Sequence, residues 1–221
     1  MKRYVLFLNA VLAALICYGN YLLLSPEQTG SKLFCSACFA AMGFLNALYV
    51  LQNGGRRWFA VLMAAGLVLA AAGDIRINRS FVEGAALFAA GHICFWLSGC
   101  ILASPSRRDL IGAACVCVPA AAYILFGKGL RFAPASMQWV CLGYALVIGL
   151  MTGKMFVNFL RTRTLPTGLL MAGSLLFCFS DLMLMQGRFG SARGPFGLLC
   201  MATYYPAEIL LAYAIFHSAD A

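Results

Sequence analysis

The chain has 221 residues, of which 63% are hydrophobic and only 10% charged, and its mean hydropathy is +0.87. A soluble domain of this length needs far more polar surface, so the composition excludes one and points to an integral membrane protein. The net charge of +9 invites a nucleic-acid reading. The basic residues, however, sit at the ends of apolar segments all along the chain, where anionic lipid head groups account for them, and no nucleic-acid partner is expected.

In chain order, apolar spans occupy about 4–24, 33–51, 58–75, 81–103, 110–126, 135–157, 167–185 and 196–216. Each is near the roughly 20 residues an α-helix needs to cross a bilayer. Long uninterrupted apolar runs argue for helices rather than the alternating strands of a membrane barrel. The expected fold is all-α: a polytopic membrane protein, a bundle of eight transmembrane helices forming one domain over 1–221. The first span follows Lys2 and Arg3, as a signal peptide would, but its apolar run is too long for one, and it reads as a retained helix.

Eight spans put both termini on one side, with Lys2, Arg3, Arg56, Arg57, Arg107, Arg108, Lys154, Arg161 and Arg163 in the loops there. The opposite side carries Lys32, Arg76, Arg79, Lys128, Arg131, Arg188 and Arg193. This bias makes both termini cytoplasmic in a bacterial inner membrane by the positive-inside rule.

The third span ends "LVLAAAGDIRIN" and the seventh "LLFCFSDLMLMQGR". Both place a small residue and an aspartate near the far end of an odd-numbered helix: Gly73-Asp74 and Ser180-Asp181. This suggests two parallel four-helix repeats, 1–105 and 106–221, with a site between them. Gly149 and Gly153, and the pairs Ala10/Ala14, Ala37/Ala41 and Ala85/Ala89, have the four-residue spacing that lets helices pack closely. Pro119 and Pro206 fall inside spans and are candidate kinks. Of the ten cysteines, Cys35 and Cys38 form a C-x-x-C and Cys115 and Cys117 a C-x-C. Both motifs lie within apolar spans, where cysteine acts as a small hydrophobe. No ligand-rich loop completes a metal site, so neither metal nor cofactor is expected.

The spans contain a few ionisable residues, each costing at least about 2.5 kcal/mol if charged near the membrane centre. Asp74, His92, Asp181 and Glu208 come from spans three, four, seven and eight, with Tyr204 and Tyr205 beside Glu208. Simpler roles are open to each: a helix-end pairing of Asp74 with Arg76 or Arg79, a backbone bond for His92, a bond from Tyr204 to Glu208. As a set, two acids, an imidazole and phenols in a low-dielectric cavity suit acid–base catalysis, because two close carboxyl groups resist ionising together. There is no G-x-S-x-G elbow and no phosphate-binding P-loop, so covalent catalysis is not expected.

The stretch "GDIRINRSFVEGAALFAAGH" resembles the signature of the YhhN, or lysoplasmalogenase, family: Gly-Asp closing one helix, a Phe-x-x-Gly loop, then a histidine inside the next. "LLFCFSDLMLMQGRF" resembles its second signature and "ATYYPAEILLAYA" its tyrosine-bearing last helix. Lys32 is followed by Leu33 where members often carry Lys-Pro, and Glu208 stands where a glutamine-like residue is usual. The resemblance implies an enzyme that cleaves the vinyl ether bond of 1-alkenyl lysophospholipids, releasing a fatty aldehyde and glycerophosphoethanolamine or glycerophosphocholine. Asp74 and Asp181 then become the leading catalytic residues. His92, Tyr204, Tyr205 and Glu208 support them, and Lys32, Arg76, Asn78, Arg79 and Arg188 bind the phosphate by charge-assisted bonds. The expected partners are the lysophospholipid substrate and membrane lipids; the motifs do not encode an oligomeric state. The competing expectation is a small proton-coupled transporter or lipid carrier, since intramembrane acids and histidines also relay protons.

Overall fold

A computed structural model describes residues 1–25 and 31–220. The chain forms α1 (Lys2–Leu24), α2 (Lys32–Gln52), α3 (Arg57–Ile77), α4 (Phe81–Leu102), α5 (Arg107–Phe126), α6 (Ser136–Thr162), α7 (Leu165–Phe189) and α8 (Phe196–His217), followed by a 3-10 turn, Ser218–Asp220. By length and composition all eight α-helices can cross a membrane, and the protein is an all-α bundle.

The helix boundaries follow from local chemistry. Ser31 Oγ accepts a hydrogen bond from Phe34 N–H at 3.3 Å and starts α2, and Ser80 Oγ accepts from Glu83 N–H at 3.4 Å and starts α4. These hydroxyls satisfy donors that a helix start leaves open. At the head of α5, Asp109 Oδ2 accepts from Ser106 N–H at 2.6 Å. α6 runs to Thr162, past the expected end at 157, and stops at Arg163, which takes a left-handed conformation with φ of 50°. Both helices with internal prolines, α5 and α8, continue through them.

α8 packs on α7, α2, α1 and α3, and α4 packs on both α3 and α6. The shared core is built from Phe39, Met42, Met63, Phe95, Met151 and Phe177 with their neighbours. Small residues set the close approaches. A Cβ at Gly153 would stand 2.3 Å from Ala113 N, and one at Gly149 would stand 2.3 Å from Cys117 Sγ. The Gly149/Gly153 pair is thus the surface on which α5 seats against α6.

One expectation needs correction. Lys154 does not lie in a loop: it is 1% exposed inside α6, and its Nζ meets Asp109 Oδ2 at 2.9 Å. The turn of α6 at this position faces the lysine toward α5, whose Asp109 carboxylate neutralises it. The pair also adds two ionisable residues to those expected inside the helices. The ten cysteines are all unpaired, and Cys35 and Cys38 are buried in α2.

Candidate active site

At about 1.5 Å per residue, Tyr144, Tyr204 and Asp181 each lie about 12 Å in from one end of the bundle, on α6, α8 and α7. His92 lies about 16 Å in on α4, and Ser36 and Asp74 lie nearer the same end on α2 and α3. The polar residues therefore form a layer inside one half of the bundle.

Two hydrogen-bonded groups make up this layer. In the first, Asp74 is buried at 7% exposure, and its Oδ2 accepts from Ser36 Oγ at 2.5 Å and from Tyr204 OH at 2.9 Å. Ser36 Oγ also lies 2.8 Å from the carbonyl of Lys32, one turn back along α2. In the second, Tyr144 OH donates to Asp181 Oδ2 at 2.7 Å, and His92 Nε2 lies 2.8 Å from the same phenol and 3.4 Å from Asp181 Oδ2. The phenol has one proton and gives it to the carboxylate. Its oxygen must then accept from His92, which puts the imidazole proton on Nε2.

Aromatic rings fill the space between the groups. Phe177 stands edge-on to His92 at 4.6 Å and to Tyr204 at 5.2 Å, and Phe88 meets Tyr204 at 6.0 Å. The rings separate the two groups, and Gly73 makes room for one of them: a Cβ there would meet three Phe88 ring atoms at 3.0 Å.

Beside the second group opens a cavity of about 720 Å³, within the roughly 300–1,000 Å³ of small-ligand sites. Its wall is mostly apolar, formed by α4, α5, α6 and α7, and Asp181 and Tyr144 face into it. Among the described residues Asp181 is the one carboxyl group in that wall; Asp74 lies behind Phe88 and Tyr204 and does not line it.

The remaining sequence candidates divide. His92 and Tyr204 join the two groups as described. Tyr205 is fully buried, but its hydroxyl makes no hydrogen bond among the described residues. Glu208 is fully buried one turn along α8 from Tyr204, with neither carboxyl oxygen in hydrogen-bond geometry to a described residue. Neither residue lines the cavity. Asp74 does not pair with Arg76, which instead meets Glu83 at 3.6 Å on the surface. Arg76, Asn78, Arg79 and Arg188 are exposed, and Lys32 is half-buried. They flank the outer end of the site while Ile77 and Gln186, from the same helix ends, reach its wall.

Sequence reasoning missed Ser36 and Tyr144. Tyr144 is a lone phenol in the apolar run of α6, and its spacing from any acid in the chain gives no hint that Asp181 is its partner. Ser36 shares its helix with an ordinary small-residue pattern. Only helix packing makes either one polar machinery.

Known proteins resemble the chain along most of its length. The chain is 26% identical over 196 residues to lysoplasmalogenase TMEM86B of Sus scrofa, covering 87% of this chain and 78% of that protein. It is 26% identical over 226 residues to the lysoplasmalogenases of Mycobacterium bovis and Mycobacterium tuberculosis, covering 91% of this chain and 80% of each. No solved structure matches it. The sequence profile of the YhhN family matches residues 28–215, a stretch that takes in both aspartates, His92, Tyr144 and Tyr204. By that match the chain belongs to the YhhN family.

Proposed function

We propose that this membrane protein hydrolyses the vinyl ether bond of 1-alkenyl lysophospholipids by aspartate acid–base catalysis. The observation that carries the reading is Asp181, among the described residues the only carboxyl group in the wall of an apolar cavity, held by Tyr144 and backed by His92.

Vinyl ether cleavage begins with proton transfer to the alkenyl carbon β to oxygen. The C=C electron pair forms the new C–H bond, and an oxocarbenium ion results. Asp181, as the carboxylic acid, donates that proton. As the carboxylate, it then accepts a proton from the water that adds to the cation. The hemiacetal collapses to aldehyde and glycerol hydroxyl, and the acid is restored with no net change in protons. A positioned acid of this kind contributes about 10²- to 10⁴-fold. Asp74, held by Ser36 and Tyr204, supplies fixed negative charge behind the ring wall that favours the cation. His92 holds Tyr144, and Tyr144 sets the carboxyl orientation. Lys32, Arg76, Asn78, Arg79 and Arg188 hold the phosphate at the outer rim.

Fatty aldehyde release from a 1-alkenyl lysophospholipid by the purified protein tests this directly. Aldehyde from wild type and none from Asp181→Asn is the expected result. Comparable release by both would remove Asp181 from the chemistry. Substrate crossing sealed vesicles unchanged, with no aldehyde, would replace the enzyme by a carrier.

A further inference from the structure

We propose that the cavity opens sideways into the bilayer between α5 and α7, and that a single-chain lipid enters through this gap, which the Tyr123–Gln186 hydrogen bond bars. The proposal rests on the enzyme reading for the identity of the lipid but on the packing for the route.

If the chain is divided into 1–105 and 106–221 and compared helix by helix, most interfaces recur. The pairs α1–α2, α2–α3, α3–α4 and α2–α8 correspond to α5–α6, α6–α7, α7–α8 and α6–α4, and all eight are packed. Two contacts in the first half, α1–α8 and α3–α8, correspond to α5–α4 and α7–α4; in neither do the backbones approach as closely, and α7 reaches α4 through side chains, Phe177 to His92 and Phe189 to Phe81. The cavity occupies that place.

The wider spacing leaves α5 with its backbone seated on α6 alone, while Ile124 near its end shares a buried cluster with Phe189 of α7. Its first half is pinned there by the seat at Gly153 and by the Asp109–Lys154 pair. Its second half, from Pro119 onward, lines the cavity. Proline has no N–H to bond the preceding turn, so this is where the helix bends most easily. On the other edge, Leu175, Phe179 and Leu182 of α7 line the cavity while remaining 39–43% exposed. A residue that both lines a cavity and faces the surroundings marks its opening, and here the surroundings are lipid tails.

What joins α5 to α7 lies at the outer rim. Tyr123 accepts a hydrogen bond from Gln186, and beyond the helix ends Arg131 N–H meets Phe189 O and Ser191 N–H meets Gly129 O, both at 2.7 Å. Entry through water is unfavourable for such a ligand, because each methylene drawn from apolar surroundings into water lowers its population about fourfold. Through the side, the chain passes from lipid to apolar wall, and the reacting end comes to rest beside Asp181.

The test uses the full-length protein in phospholipid vesicles and a lysophospholipid whose saturated ether chain carries a diazirine. In wild type, photolabelling maps to residues 116–124 and 175–186 and is competed by unlabelled lysophospholipid. In Tyr123→His/Gln186→His, Zn²⁺ clamps the two helices and lowers that labelling at least tenfold, and chelation restores it; Zn²⁺ leaves wild type unaffected. Ala120→Trp, which fills the gap from α5 without metal, gives the same loss. Unchanged labelling in both variants overturns the lateral route. Aldehyde release is read in parallel on wild type. Aldehyde with labelling that ignores both variants keeps the enzyme and discards the route, whereas gap-dependent labelling without aldehyde keeps the route and discards the enzyme.

Discussion

At the scale of single residues, the two aspartates sit in different surroundings, and the proposed chemistry gives them different work. Asp181 meets the cavity, and Asp74 is enclosed behind rings with two hydroxyl donors on one oxygen. Asp181→Asn is expected to lower kcat at least 10³-fold, because the amide carries no transferable acid proton. Asp74→Asn is expected to lower kcat while leaving KM within about twofold, since it acts through charge and not through contact; a rise in KM alone would place it in substrate binding instead. Tyr144→Phe removes one charge-assisted bond, about 1.5–3 kcal/mol, and should cost about 10- to 150-fold in kcat with unchanged expression. Steady-state aldehyde kinetics checks all three. Both aspartates were legible as outliers in apolar runs, since a membrane span has few uses for an acid. Tyr144 and Ser36 were not, because a phenol or hydroxyl in a span is unremarkable until a carboxylate faces it. Tyr204 could be told from Tyr205 only once α8 was rotated into place: one donates to Asp74, and its neighbour's hydroxyl makes no hydrogen bond among the described residues.

At the scale of elements, α5 is fastened to α6 along its first half and faces the cavity with its second. The fastening makes two predictions. Gly153→Val forces a side chain into the backbone of α5, and overpacking of this kind costs about 1–3 kcal/mol. The expected result is a lower melting temperature in detergent, with Gly143→Val, which meets nothing within 4 Å, unchanged beside it. Lys154→Met leaves Asp109 buried without its cation, a loss of about 3–5 kcal/mol. Lys154→Met with Asp109→Leu should recover most of that stability, and failure to recover would give the pair a role other than mutual neutralisation. Helix number and the glycine seats were readable from the pattern of apolar runs and small residues. The Lys154–Asp109 pair was not, because hydropathy does not say which way a lysine near a helix end is turned or what faces it on the next helix.

At the scale of the whole molecule, one end of the bundle gathers Asp74, Asp181, the cavity and a rim that includes Lys32, Arg76, Arg79 and Arg188. A lipid phosphate held at this rim would leave its first chain carbons at the depth of Asp181. Lys32→Ala with Arg188→Ala is expected to raise KM about three- to tenfold for a phosphate-bearing substrate, with kcat little changed. The rise should shrink as salt screens the rim, where the Debye length is about 8 Å at physiological ionic strength. The membrane class, the eight helices and the positions of the two acids are properties of the sequence by itself. Each depends on local composition: about 20 apolar residues make a span, and a charge inside one stands out wherever that span goes. The tertiary structure alone decided which acid meets the cavity, which hydroxyls hold each carboxyl group, and that α5 stands away from α4 and α7. Those depend on contacts between residues as far apart as 130 positions, and no local pattern encodes how one helix is turned against another.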